Sequence, residues 1–269
     1  MNSIKKHWPM ALGYAAVAAT AVLAVKPAEA AEDYSLSANA GVVSDYRYRG
    51  ISQTRLKPAV QAGVDFAHAS GTYVGVWASS IKWTRDIPEG GGKAEIDIYA
   101  GYKHKMDNGM TLDLGGLYYW YPSSHLVHNT DYVDADTFEL YTALSWGPLT
   151  LKYSHALTPL FGLTYSPLLK EGKGTRNSGY WDVSGNFELP YGLILTPHIG
   201  HQRVAGTLNP QASYTDYSLT LSKTYKGFTP SLTLVGTNAD QSYYVPGTLA
   251  RSTQFLGKRG VVAGLKYTY

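Results

Sequence analysis

Arg47 and Arg49 stand two residues apart, and so do Glu95 and Asp97, in stretches where apolar and polar residues alternate. Side chains at i and i+2 of a strand share a face, so each pair sets two like charges side by side. Glu139, Lys152 and Asp182 hold the same polar parity in three further stretches. If these faces meet around a closed interior, basic groups on one wall confront acidic groups further round. Opposed charges across a narrow aqueous passage create a transverse field that orders water and sorts charged or dipolar solutes; rings of one sign give ion selectivity. The competing use is bracing: in a tight interior the same charges pair with one another, because an unpaired buried charge is expensive. Two guanidiniums at this spacing repel unless anions or acidic partners stand near. Lys103 and Asp113 share the inward parity across the turn at 105–109, fall close to diagonal neighbours, and are expected to pair structurally.

Bond-making chemistry finds less support. Ser154 and His155 are adjacent, so as strand neighbours they point to opposite faces, and His198 and His201 also differ in parity. A hydrolase needs nucleophile, base and orienting group within reach, and no such set emerges, so the chain is not read as an enzyme. Asn129, Asp131, Asp134 and Asp136 could offer oxygen ligands to calcium but lack the EF-hand pattern, and read as a solvated acidic loop. Glu89 to Gly92 is a hinge with no helix start behind it, so it is not a phosphate cradle. With no cysteine, neither disulfides nor thiolate metal sites are available. No cofactor or metal is expected.

The elements that would position the charges are strands. Lys5 and Lys6, an apolar stretch from Ala11 to Val25, and the small-x-small site Ala28-Glu29-Ala30 predict a signal peptide over 1–30, cleaved before Ala31. Cleavage removes three of 23 basic and one of 20 acidic side chains, leaving a nearly neutral chain without the charge for a nucleic-acid partner. Residues 31–269 form one domain and hold no apolar run of 18 or more, so membrane insertion would have to be by strands. The 23 tyrosines and six tryptophans suit a wall that is apolar on one face, with aromatics at the membrane interfaces.

About twelve alternating stretches follow, joined by connections that are long and short in turn. The short ones lie at 69–71, 105–109, 147–148, 190–192 and 224–227. The long ones run roughly 44–57, 80–93, 121–135, 156–179, 201–214 and 238–258. Strict alternation puts all long loops at one end, the plan of an all-β, antiparallel up-and-down transmembrane barrel with short periplasmic turns and long outer loops. The first strand keeps one parity from Tyr34 to Arg49, with Tyr46 and Tyr48 on its outward face. Between Thr72 and Ala78 both faces are apolar, and Pro197 and Pro230 sit inside strands where proline removes a ladder donor. Loop 156–179 carries Leu160, Phe161, Leu163, Tyr165, Leu168 and Leu169, so it is expected to fold inward and narrow the pore or to pack on a neighbouring molecule. The alternating C-terminal segment closes on Tyr269, like the aromatic signal by which assembly machinery recognises outer-membrane barrels.

The runs Ser44-Asp45-Tyr46-Arg47-Tyr48-Arg49-Gly50-Ile51-Ser52-Gln53-Thr54, Pro58 to Gly63, Gly71 to Ser79 and Glu95 to Tyr102 resemble the TorF-type porin family of proteobacteria. Looser matches at Phe138-Glu139-Leu140-Tyr141 and Thr215 to Leu219 extend the likeness over most of residues 31–269. The resemblance implies a Gram-negative outer-membrane location and a porin class, with no substrate attached. Together these readings predict a channel for passive diffusion of small polar or charged solutes, with Arg47, Arg49, Glu95, Asp97, Glu139, Lys152 and Asp182 lining and filtering it. Its partners would be outer-membrane lipid, small solutes and, through Tyr269, the barrel-assembly machinery. The alternatives are a closed barrel that acts through its outer loops as an adhesin or receptor, and an outer-membrane lipid hydrolase.

Overall fold

The computed structural model describes residues 33–85, 91–128, 131–163, 174–206, 209–246 and 253–269. The expected signal peptide lies outside them, as do Asn129 and most of the apolar centre of loop 156–179. Twelve staves form the wall. They are β1 (Tyr34–Val43), β2 (Ala59–His68), β3 (Thr72–Ser80), β4 (Ala94–Lys105), β5 (Thr111–Trp120) and β6 (Thr137–Trp146). Then follow β7 (Leu149–Ala156), β8 (Gly179–Gly185), β9 (Leu193–Arg203), β10 (Tyr214–Lys223), β11 (Phe228–Thr237) and β12 (Gly260–Thr268). Each pairs antiparallel with its chain neighbours, and β1 closes the barrel on β12 from Asn39↔Thr268 to Val43↔Gly264. The short strand Phe187–Leu189 continues β8 past Asn186 along β9.

Alternation builds the wall directly. Along β1 exposed and half-buried residues follow one another without a break. Outside, Leu36, Val60, Leu140, Trp181 and Leu234 join a belt of exposed apolar side chains. Soluble monomers keep contiguous apolar patches to a few hundred Å² (about 300–600); a belt around the whole wall calls for lipid. The two-sided segment resolves with Val76 outward at 43 % exposure and Trp77 inward at 6 %.

Both prolines face outward within continuous staves, Pro197 opposite Leu219 and Pro230 opposite Leu265. At Asn186 the register of β8 against β9 is unchanged, Ser184↔His198 before the break and Phe187↔Leu195 after it. Asn186 turns its N–H toward the Pro148 carbonyl at 2.9 Å, so Gly185 faces β9, where its partner is Pro197. The ladder is interrupted where the proline has no N–H to donate.

The first strand is shorter than its parity suggests. Ser44 makes the last wall contact, its N–H donating to the Ala263 carbonyl at 2.8 Å and its Oγ accepting from the Ala263 N–H at 2.9 Å. Asp45 then turns the chain inward, where its carboxylate accepts from Ser52 Oγ at 2.5 Å and Thr54 Oγ1 at 3.2 Å. Tyr46 and Tyr48, expected on the lipid face, are therefore buried inside the mouth of the barrel.

Candidate pore-lining site

The inward segment after Ser44 is a hairpin, with Arg47–Tyr48 paired to Ile51–Ser52. Its central residues Arg49 and Gly50 both have positive φ, +46° and +79°, the primed turn that matches strand twist. A side chain at position 50 would meet Thr237 Cγ2 at 2.5 Å and Asp216 Cβ at 2.8 Å, so glycine lets the tip lie against β10 and β11. From this tip Arg49 reaches across the barrel. Its Nη2 donates to Glu139 on β6 at 2.7 Å and its Nη1 to Gln202 on β9. The guanidinium lies between rings, 4.2 Å from the Tyr180 centroid and 4.7 Å from that of Tyr48. Burial works most strongly against the charge of Arg49, but Glu139 together with Tyr48, Tyr119 and Tyr180 outweighs it and holds the pKa above the usual arginine range. Arg47 is spent on bracing: it bonds Asp45 at 2.5 Å and the carbonyls of Gly50, Leu256 and Lys258 at 2.8, 3.0 and 3.1 Å, tying the hairpin to the last outer loop.

Aromatics complete this roof. Phe161 packs edge-on against Tyr48 and Trp83, each with centroids 5.5 Å apart, and Trp83 packs on Tyr121 at 5.2 Å. The described part of the apolar loop thus adds Leu160 and Phe161 to the buried clusters at the lid of the barrel. Tyr46 donates to Glu95; burial first, then Glu95, pushes its pKa up and keeps it a neutral donor.

Beneath the roof the interior divides. Across β3 to β7 it is filled: Tyr73 covers Gly101, Tyr99 covers Gly75 and Tyr141 covers Gly115. Tyr73 bonds Asp113 at 2.6 Å and also meets the Tyr141 hydroxyl. Lys152 places its amino group 3.6 Å from the Tyr141 ring centroid. Lys103 and Asp113 stand directly opposite in register rather than diagonally, with Nζ and Oδ2 3.6 Å apart. Glu95, Asp97, Glu139 and Lys152 all belong to this packed side and are buried, Glu95 completely.

Across β8 to β12 and β1 lies a cavity of ≈ 220 Å³. Of the seven residues expected along a pore, Arg47, Arg49 and Asp182 line it; the other four do not. Asp182 accepts from or faces His198 Nε2 at 2.7 Å, while His198 Nδ1 lies 3.6 Å from Asp216. Tyr180 donates to Asp216 at 3.0 Å. His198, Asp216 and Lys266 also line it and were not among the expected lining residues. Parity would have found them: each falls on the polar phase of its stave, and the even positions of β9 that carry His198 also carry Gln202, which meets Arg49 in the roof.

The residues weighed for other chemistry stay apart. Ser154 is buried inside while His155 touches Tyr153 at 3.2 Å, and His201 is exposed beside Thr215. Asp136 accepts from the Tyr121 N–H at 2.9 Å and from Tyr118 at 2.5 Å. Among the described residues no group of three acidic or histidine side chains is placed to hold a metal.

A family profile described as "Bacterial protein of unknown function (Gcw_chp)" matches residues 27–269. No curated protein matches the chain. Among solved structures, the chain is similar to the NanC porin at 11 % identity, over 87 % of this chain and 98 % of that one, with a TM-score of 0.53. The KdgM porin, solved in complex with disordered oligogalacturonate, matches at 9 % identity over the same shares with a TM-score of 0.49. At such identities the likeness concerns the fold, and the NanC match carries it.

Proposed function

The chain belongs to the bacterial Gcw_chp family, and from that premise we propose that it is an outer-membrane channel of porin type, akin to the TorF-type porins its motifs resemble. It is exported by cleavage after residue 30, recognised through Tyr269 by the assembly machinery, and passes small polar or charged solutes by diffusion. The observation that carries this reading is the pairing of a polar cavity along half of the wall with opposed charges at its outer end. Arg47 and Arg49 line the cavity there together with Asp182 and Asp216. Such a juxtaposition sets a transverse field that favours dipolar solutes and gives only mild ion preference. Glu95, Asp97, Glu139 and Lys152 take the supporting role, holding the roof and the filled side, and Lys103 with Asp113 braces the wall.

Single-channel current across a planar bilayer, with protein purified from outer membranes, tests the reading. Discrete steps with a small reversal potential in a salt gradient are expected, and Arg49→Gln should move that potential toward cation preference. A folded barrel without steps would instead favour the second reading, a closed barrel acting through its outer loops, to which the buried roof cluster of Trp83, Tyr121 and Phe161 lends weight.

A further inference from the structure

The cavity carries more recognition chemistry than a charge filter needs. On β10 and β11, Ser218, Thr220, Ser222, Thr229, Ser231 and Thr233 all turn inward to line it. Thr220 pairs with Thr233 and Ser222 with Ser231 across the ladder, and the two threonine hydroxyls lie 2.8 Å apart. A hydroxyl has one proton to give and two lone pairs to offer, so each keeps capacity after bonding its neighbour. The result is a wall that both donates and accepts along its length. Facing it are Asn39, Gln61, Ser184 and Asn186, again donors and acceptors without charge.

The charges in this lining are balanced and largely engaged. Three acidic side chains, Asp45, Asp182 and Asp216, stand with three basic ones, Arg47, Arg49 and Lys266. Asp45 bonds Arg47, Asp182 bonds His198, and Arg49 bonds Glu139. An ionic ligand would find no single sign to meet. At the outer end the lining adds Tyr46, Trp77 and Tyr180, apolar surface of the kind that binds an amphipathic ring. Arg49 also keeps its Nε–H without an acceptor among the described residues. The volume of ≈ 220 Å³ falls below the range of about 300–1,000 Å³ for drug-sized sites, which limits the occupant to about one ring.

Resting on the channel reading, we propose that this cavity is a subsite for one ring of a neutral polyhydroxylated solute, a sugar or cyclic polyol. Hydroxyls of the solute replace its water by bonding the serine and threonine wall, and its C–H face meets the aromatic end.

The test is the effect of glucose on single-channel ion current, with gluconate as the charged comparator. Glucose should reduce the current saturably and at lower concentration than gluconate. Thr220→Val with Thr233→Val should weaken the apparent affinity on the order of 2- to 10-fold per hydroxyl removed, while Ser145→Ala in the filled half leaves it unchanged. Ion steps that persist without any response to glucose, or with equal response to gluconate, overturn the subsite and leave the channel standing. If no ion steps occur, the channel reading fails, and titration of tryptophan fluorescence with glucose decides the subsite alone. A saturable change lost in Trp77→Phe retains it, and a flat titration overturns it.

Discussion

The two halves of the barrel interior are built on one rule and end in opposite states. Along β3 to β6 inward tyrosines lie over glycines of a neighbouring stave, while β10 and β11 present a run of inward serines and threonines. The first arrangement removes space and the second leaves it. Inward parity therefore determines which residues face the lumen, and side-chain volume determines whether there is a lumen to face. Charges follow the same division: those on the filled side are locked among rings, and those on the open side sit at the edge of the cavity.

Arg49 is where the halves are joined, because its guanidinium spans from Glu139 on the filled side to Gln202 on the open side. Glu139→Ala should have the largest effect of those considered, since it leaves a buried guanidinium without its counter-charge. Loss of such a partner costs about 3–5 kcal/mol. Urea unfolding in micelles should show it, and pairing Glu139→Leu with Arg49→Met should recover much of the loss. If the single variant unfolds like the parent, the roof is not held by this pair.

A smaller effect separates the halves themselves. A Cβ at Gly101 would meet the Tyr73 hydroxyl at 2.3 Å and the fixed Leu114 carbonyl at 2.6 Å. At Gly264, on the open side, it would meet only the Ser231 hydroxyl at 2.7 Å, with the next atom 3.5 Å away. Gly101→Ala should thus cost about 1–3 kcal/mol as overpacking does, whereas Gly264→Ala should fall within roughly 0.5 kcal/mol of the parent. Equal losses at the two positions would remove the distinction between a filled and an open side.

Much of the wall was legible because alternation and the order of long and short connections are properties of the chain itself. The hairpin was not, because Tyr34 to Arg49 keeps one parity throughout, and nothing in a period of two tells a stave from a segment that has left it. The departure is set by Ser44, which holds Ala263, and by Asp45, Ser52 and Thr54, whose mutual bonds become evident only once the chain has turned. The filling of one half was hidden for a related reason. Tyr73 and Gly101 lie far apart in sequence, and only the register of β3 against β4 shows that the ring covers the glycine. His198 and Asp216 were within reach of parity, since each falls on the polar phase of its stave.

The smallest effect concerns the wall of the open half, where the β8–β9 ladder is interrupted at Asn186. The unchanged register on either side means that the interruption comes from a missing donor and not from an extra residue. Asn186 points its N–H away from β9, so Gly185 is the residue left facing Pro197. Pro197→Val restores an N–H at that position and supplies a side chain suited to a lipid-facing strand, for a gain of about 0.5–1 kcal/mol. The new amide should be protected from hydrogen exchange to the level of its neighbours in β9. Rapid exchange at position 197 would mean that this amide does not face Gly185, and that the interruption in β8 arises from Asn186 itself.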